Sequence, residues 1–135
     1  MARGAPCATA TAGCRTARIG DAWYPIGTNP ANLLDSLPRF KAQVARLHKM
    51  TAEAGRDPKT MGLALRCTAF GDKIPAKASD GERRLFSGKP AEIAADIRAL
   101  RDLGVGCLDF GVPGDTADAM LGNLQKLRSE VLALV

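Results

Sequence analysis

The chain has 135 residues, of which 46% are hydrophobic and 24% charged, a balance typical of a soluble globular domain. Its longest uncharged stretches fall short of the ~20 apolar residues that a membrane span needs, and its first residues lack the apolar run of a secretory signal. The net charge of +5 is spread along the predicted helices, mostly beside acidic residues, which argues against a nucleic-acid site. We therefore expect a cytoplasmic protein with neither a nucleic-acid nor a membrane partner.

The cysteine and histidine residues offer no metal site. The four cysteines are Cys7, Cys14, Cys67 and Cys107, none of them paired as CxxC, and the single histidine is His48. A structural zinc site needs about four clustered ligands. Cys67 and Cys107 lie in apolar runs, where a free cysteine behaves as a small hydrophobic residue. We expect no metal and no disulfide framework, in keeping with a reducing compartment.

The first recognisable element is a short strand over residues 22–26, which contains Trp23 and Tyr24, the only Trp and the only Tyr of the chain. Residues 1–18 before it show no clear period. They are interpreted as a poorly ordered or degraded terminal segment, with a short helix over residues 14–19 as the alternative.

Two helices are predicted after this strand. Asn29 and Pro30 suit the N-cap and first position of a short helix over residues 30–36. A longer helix begins near Pro38 and ends near Gly55. Its apolar residues recur at helical spacing, at Phe40, Val44, Leu47 and Thr51.

The rest of the chain alternates strands and helices. Residues 61–70 predict a strand buried on both faces, residues 71–86 a long loop, residues 90–103 a helix and residues 105–112 another strand. The last helix runs to about residue 132, with an inward-facing stripe of Met120, Leu121, Leu124, Leu127 and Val131. Strands that alternate with helices of this length indicate an α/β fold of parallel βα units.

Few residues suggest chemistry, and each has a structural alternative. Asp109 lies inside an apolar strand, where it either faces a site at the strand end or pairs with an arginine such as Arg66. Trp23 and Tyr24 either stack on a planar ligand or pack in the core. His48 is expected on a helix surface.

Residues 87–90 (SGKP) precede a helix N-terminus, where backbone N–H groups favour an anion. Ser87 could equally serve only as the residue at which the chain enters that helix. The sequence shows no P-loop, no GxGxxG and no nucleophile elbow.

Four segments in order resemble the luciferase-like flavin or deazaflavin oxidoreductases. Residues 17–23 (ARIGDAW) are similar to that family's A-R-x-G/A-D-G-W segment, and residues 53–58 (EAGRDP) to its GRDP helix end. Residues 86–93 (FSGKPAEI) are similar to its G-T/S-P-E-E helix start, and residues 103–110 (LGVGCLDF) to its final strand. The resemblance covers the C-terminal part of that family.

This resemblance implies a partial (β/α)8 barrel in residues 19–135, since the full barrel takes about 250 residues. It also implies hydride transfer or monooxygenation of a small-molecule substrate with coenzyme F420 or FMN. Separately, we expect a homo-oligomer, because unpaired strand edges tend to be covered. The family's glycine-rich turn is matched only loosely here, by Gly13 and Arg15. The resemblance assigns cofactor binding to Gly13, Arg15 and Trp23, and leaves the catalytic residues unknown.

Two functions follow as hypotheses of different classes. The first is a C-terminal fragment of a luciferase-like oxidoreductase, weakly active or inactive alone. The second is a non-catalytic partial barrel that covers its open sheet edges by pairing with itself or with another chain. A small basic nucleic-acid-binding domain is a third hypothesis that no motif supports.

Overall fold

The computed structural model describes residues 12–135. Its helices and strands, in chain order, are α1 (Ala12–Ile19), β1 (Ala22–Trp23), α2 (Leu37–Glu53), β2 (Gly62–Cys67), α3 (Pro90–Asp102), β3 (Val105–Phe110) and α4 (Ala117–Lys126). A 3-10 turn at Pro58–Thr60 precedes β2. After α4 the chain continues as a π-helical turn, Leu127–Val131, and a 3-10 turn, Leu132–Leu134.

The three strands form one parallel sheet in the order β1-β2-β3. Trp23 pairs with Leu63, and Arg66 with Asp109. The pairing of β1 continues beyond the strand as a bridge between Ile26 and Arg66. The predicted α/β fold with parallel strands is confirmed.

Helices cover one face of this sheet, here named the helix face. Residues that alternate along β2, Leu63, Leu65 and Cys67, are buried on it. Trp23 of β1 joins them and stacks on Phe40 of α2, with ring centroids 5.9 Å apart. The apolar stripe predicted for α2 is confirmed, because Phe40 and its helical neighbours are all buried, namely Val44, Leu47 and Thr51.

The other face of the sheet is uncovered in the described part of the chain. This open face consists of Tyr24, Ile26, Ala64, Arg66, Cys107 and Asp109, all exposed or half-buried. The prediction of a β2 strand buried on both faces is therefore wrong for one face. The expectation that Cys107 is a buried hydrophobic residue is also wrong, since its side chain is exposed. The apolar run in the sequence is real, but the second layer of structure that would bury it is absent from the described residues.

The segment before β1 is partly described. Residues 1–11 lie outside the described residues, whereas residues 12–18 belong to α1, so the helical alternative is the one found there. Ala17 is buried in the core, and Arg56 Nη1 donates to its carbonyl oxygen at 3.1 Å. That bond satisfies a carbonyl group at the end of the helix, where no backbone partner exists. The boundary between a terminal segment, residues 1–18, and a barrel part, residues 19–135, stays a prediction.

Residues 30–36 do not form the predicted helix. The Leu34 N–H instead donates to the Gly27 carbonyl at 2.9 Å, and Leu34 is almost fully buried. Ser36 bridges to Arg84 of the loop that follows β2. Burial of Leu34 and this pairing outweigh the local helix signal, which is a weak preference over so few residues.

The last helix also differs from the prediction. The inward-facing stripe is correct for Leu127 and Val131, which are buried in the core. It is wrong for Met120, Leu121 and Leu124 of α4, which are about half exposed. No residue of α4 is buried. The helical period of the stripe is right, but within the described chain the part of it on α4 is covered too little to be buried.

The long loop after β2 is held to the helices by charged groups. Asp96 of α3 accepts hydrogen bonds from the Phe86 N–H at 2.7 Å and from Arg83 Nη1 at 2.6 Å. Phe86 is buried at a φ of 64°, a left-handed conformation that is rare for a non-glycine residue. Ser36 Oγ donates to Asp80 at 2.5 Å in the middle of the loop. The loop is therefore a bonded part of the fold.

Candidate functional site

A hydrogen-bonded cluster lies where the three strands end. It comprises Tyr24 directly after β1, Arg66 near the end of β2 and Asp109 near the end of β3. The Tyr24 hydroxyl donates to Asp109 Oδ2, and Arg66 Nη1 donates to the same oxygen at 2.5 Å. Parallel strands bring their carboxyl ends to one edge of the sheet, which is where ligands bind in α/β proteins.

Of the two sequence alternatives for Asp109, the arginine pair is found, with Arg66 as the partner. That Asp109 also faces a site at the strand end stays a prediction. The hydrogen bond of the Tyr24 hydroxyl was missed, because the sequence alternatives for this residue were ring stacking and packing in the core. The available signal was alternation: Trp23 and Tyr24 are adjacent on a strand, so a buried Trp23 places Tyr24 on the opposite face.

The electrostatics of the cluster stabilise its present protonation state. The hydrogen bond to Asp109 raises the pKa of Tyr24, and the same bond, reinforced by Arg66, lowers the pKa of Asp109. The pKa of Arg66 is raised, first by Tyr24 and then by Asp109. At neutral pH the phenol therefore keeps its proton and the carboxylate its charge. The cluster can bind and orient a ligand, but it is not set up to exchange protons near pH 7.

The cluster has bonding capacity left for a ligand. The side chains of Arg66 and Asp109 are 41% and 37% exposed. Within residues 12–135, Asp109 Oδ2 takes both bonds and Oδ1 takes none, while Arg66 uses Nη1 toward the carboxylate and leaves Nη2 available. One acceptor and one donor are thus left for a ligand.

The three residues predicted to bind cofactor lie elsewhere. Gly13 is in the first turn of α1, where an added Cβ would be 3.5 Å from Met50 Cε. Arg15 is exposed on the same helix. Trp23 is only 8% exposed and packs on Phe40 in the core, so the core alternative describes its position. None of the three belongs to the Tyr24–Arg66–Asp109 cluster, and their predicted role stays a prediction.

The start of α3 borders a separate cleft of about 310 Å³. This cleft is lined by apolar and by charged side chains, and the charged ones are Asp72, Lys89, Lys126 and Glu130. The helix start itself is already occupied, because Glu92 accepts from the Lys89 N–H at 2.8 Å. Ser87 is buried and donates to the Arg84 carbonyl at 2.6 Å, which agrees with the helix-entry alternative.

Two further searches of residues 12–135 concern metals and membranes. No group of three His, Cys, Asp or Glu side chains is placed to hold a metal ion. None of the helices found there is both long enough and apolar enough to cross a bilayer.

Comparison with known proteins supports the fold. No protein-family model and no curated protein sequence matches the chain. A solved structure of an F420-dependent secondary alcohol dehydrogenase, in complex with an F420-acetone adduct, is similar to 91% of the chain, with a TM-score of 0.50 and 15% sequence identity. The chain spans about half the length of that protein, covering 46% of it. The fold is that of a partial (β/α)8 barrel, as the sequence predicted.

The described residues offer a flavin or deazaflavin one wall of a binding site. Tyr24 is 53% exposed and offers a ring on the open face. Beside it are the unused donor of Arg66 and the unused acceptor of Asp109. These groups suit the planar ring and polar edge of such a cofactor, whereas the buried Trp23 does not.

Proposed function

We propose that the chain is the C-terminal part of a luciferase-like oxidoreductase that uses coenzyme F420 or FMN. The observation that carries this proposal is the likeness of 91% of the chain to an F420-dependent secondary alcohol dehydrogenase. The position of the polar cluster at the carboxyl ends of the strands supports it, since enzymes of the barrel fold bind their ligands there.

The bound cofactor would supply the hydride or the oxygen chemistry. The protein would position the reacting groups and supply the electrostatic environment. In this proposal Arg66 donates N–H groups to a carbonyl or carboxylate oxygen of the ligand. Asp109 holds Arg66 in place, and Tyr24 holds Asp109. The residues that exchange protons with the substrate are not among these three, because the pKa values of Tyr24 and Asp109 are shifted away from neutrality.

We expect the 135-residue chain alone to be weakly active or inactive. Its open face leaves the cluster in contact with water on one side. Hydride chemistry depends on a site that excludes water and fixes the reacting atoms. One wall of a barrel meets neither condition.

Titration of the purified chain with oxidised coenzyme F420 and with FMN tests the proposal, read by cofactor fluorescence and by calorimetry. We expect weak saturable binding that Arg66→Ala abolishes. Arg101→Ala is the matched control, since Arg101 is an exposed arginine at the end of α3. Saturable binding that both variants retain, or no binding of either cofactor, would refute the assignment of the cluster. Tight binding with turnover would refute the prediction of low activity.

A second candidate is a non-catalytic partial barrel that acts by association with itself or with another chain, and a homo-oligomer is the form we favour. The uncovered sheet face and the exposed Met120, Leu121 and Leu124 of α4 favour this candidate. Parallel sheets are almost always covered on both faces, since both faces of their strands carry apolar residues.

A further inference from the structure

A small pocket, here named the arginine pocket, lies at the carboxyl ends of β1 and β2. Its volume is about 20 Å³, which admits about one water-sized group. The loop between β2 and α3 supplies one of its walls. The polar residues that line it are Thr28, Asp35, Arg66, Thr68 and Arg84. None of the bonds within the Tyr24–Arg66–Asp109 cluster involves the other four.

The guanidinium of Arg84 has bonding capacity that the chain does not use. Its side chain is 23% exposed and makes no hydrogen bond within residues 12–135. Asp35 Oδ2 is 4.0 Å from Arg84 Nη1, which is too far for a direct bond. An oxygen atom about 2.7–2.9 Å from each of them would fit between the two. That atom would have to accept from Arg84 and donate to Asp35.

Two threonine hydroxyls add a further donor to this pocket. Thr28 and Thr68 come two residues after Ile26 and Arg66, which form a bridge between the strand ends. Their hydroxyl oxygens are 2.9 Å apart. One hydroxyl donates to the other, so the second keeps a hydrogen that has no acceptor in the described part of the chain. The pair therefore offers one O–H in addition to the N–H groups of Arg84.

The charges of the lining favour an anion of a particular kind. Two arginines and one aspartate line the pocket, and Asp35 is already bonded to Arg39 Nη1 through Oδ1 at 2.8 Å. An anion must still tolerate the second oxygen of Asp35. Sulfate and carboxylate ions carry only acceptor oxygens at neutral pH, so Asp35 repels them. Inorganic phosphate keeps an O–H, which can donate to that oxygen while its other oxygens accept from arginine.

We propose that the arginine pocket binds a phosphate group. Its protonated oxygen would lie between Arg84 and Asp35, and a second oxygen would accept from the threonine pair. The pocket admits about one oxygen atom, so the rest of the group stays outside it. The phosphate is either free or carried by a larger molecule. This site goes beyond the proposed function, because it uses neither the ring of a cofactor nor the free donor of Arg66.

Titration of the full chain with sodium phosphate, and separately with sodium sulfate, tests the proposal by calorimetry at neutral pH and constant ionic strength, without any cofactor. We expect saturable binding of phosphate and at least tenfold weaker binding of sulfate. The comparison with sulfate removes the general attraction of anions to a chain of net charge +5.

Two variants remove donors from the pocket. Arg84→Ala should weaken phosphate binding at least about tenfold, and Thr68→Val about threefold or more. The backbone bond from the Arg84 N–H to the Ala76 carbonyl is kept in the alanine variant, and Trp23 fluorescence checks that each variant is folded. Arg101→Ala and Thr60→Val are the matched controls. Both residues lie on the surface away from the pocket, and both variants should bind phosphate as the native chain does.

Asp35→Asn separates recognition from a merely structural role. The amide can donate to an oxygen that carries no hydrogen, so sulfate should bind more tightly to this variant than to the native chain. The preference for phosphate should then fall to less than about threefold. Equal weakening of both anions would mean that Asp35 only supports the fold, and would contradict its assigned part in the site.

The source of the phosphate follows from competition. Displacement of bound phosphate by FMN but not by riboflavin assigns the site to a phosphate carried by the cofactor, whereas displacement by neither assigns it to free phosphate or to another ester. Phosphate and sulfate that bind equally, binding that Arg84→Ala retains, or no saturable binding would overturn the proposal. In the last case the pocket holds a water only. Because the cofactor titration depends on Arg66 and this one on Arg84, either can fail without the other.

Discussion

The two faces of one small sheet differ in what surrounds them. On the helix face, Trp23, Leu65 and Cys67 are buried beneath α2 and α3. On the open face, Tyr24, Arg66 and Cys107 of the same strands are exposed or half-buried. The helix face is a completed core, which apolar packing stabilises. The open face is the inside of a barrel that the described residues do not close, and its side-chain bonds are polar ones between the three strands.

The first prediction compares one thiol from each face. Burial raises the pKa of the Cys67 thiol to about 12, so roughly one Cys67 in 10,000 is a thiolate at pH 8. Cys107 is exposed on the open face. In a dilute Cys7→Ser chain, we expect an aromatic disulfide reagent to modify Cys107 about a hundredfold or more faster than Cys67, as followed by mass spectrometry of the peptides. Comparable rates would mean that the helix face opens readily.

The second prediction compares an apolar residue from each region. Phe40 is fully buried against Trp23, and we expect Phe40→Ala to lower the free energy of unfolding by about 3–5 kcal/mol. Leu124 of α4 is 49% exposed. We expect Leu124→Ala to change the free energy of unfolding of the monomer by less than about 0.5 kcal/mol. Urea unfolding read by Trp23 fluorescence measures both. Equal losses would show that α4 is packed as the core helices are.

The third prediction concerns the loop between β2 and α3. Asp96→Ala removes the acceptor for the Phe86 N–H and for Arg83, which should cost about 2 kcal/mol. Asp96→Asn should cost less, because it keeps an acceptor and because burial already raises the pKa of Asp96. Limited proteolysis should cut the loop faster in the alanine variant. Asp102→Ala, at the exposed end of the same helix, is the matched control, and a loss as large as that of Asp96→Ala would contradict the prediction.

The fourth prediction isolates the cluster on the open face. Tyr24 is the only tyrosine, so phenolate absorbance reports it alone. We expect its pKa above the ordinary 10.0 in the folded chain, and closer to that value in Asp109→Asn and in urea. Since the folded pKa is raised, the contribution of Tyr24 to stability is complete below pH ~10 and is lost as pH rises through the raised value. An unchanged titration in Asp109→Asn would show that the hydrogen bond is absent.

Asp109 gives the matching effect in acid. Its pKa is lowered by Tyr24 and Arg66, so its contribution to stability is present above pH ~4 and is lost as pH falls through the lowered value. The Asp109→Asn variant should therefore lack this part of the acid dependence. Acid titration of the Trp23 fluorescence compares the two chains.

Much of the fold could be predicted from the sequence because its signals are local. The stripe of α2, the proline at the start of α3 and the apolar runs of β2 and β3 each lie within one element. The pair between Asp109 and Arg66 was anticipated because a carboxylate in an apolar strand needs a partner. The failures are at residues 30–36, along α4 and on the open face of β2 and β3, where contacts with residues distant in sequence, or the lack of them within the described chain, decide burial.

The sequence by itself determined the order of elements, the α/β class and the residues that each helix and strand would prefer to bury, since these depend on spacing along the chain. Only the tertiary structure decided which preferences are met. It buries Trp23 and exposes Tyr24 next to it, and it leaves Leu121 of α4 about half exposed. It also brings Tyr24, Arg66 and Asp109 together. The physical reason is that burial and pairing are properties of contacts between elements, and no single segment carries them.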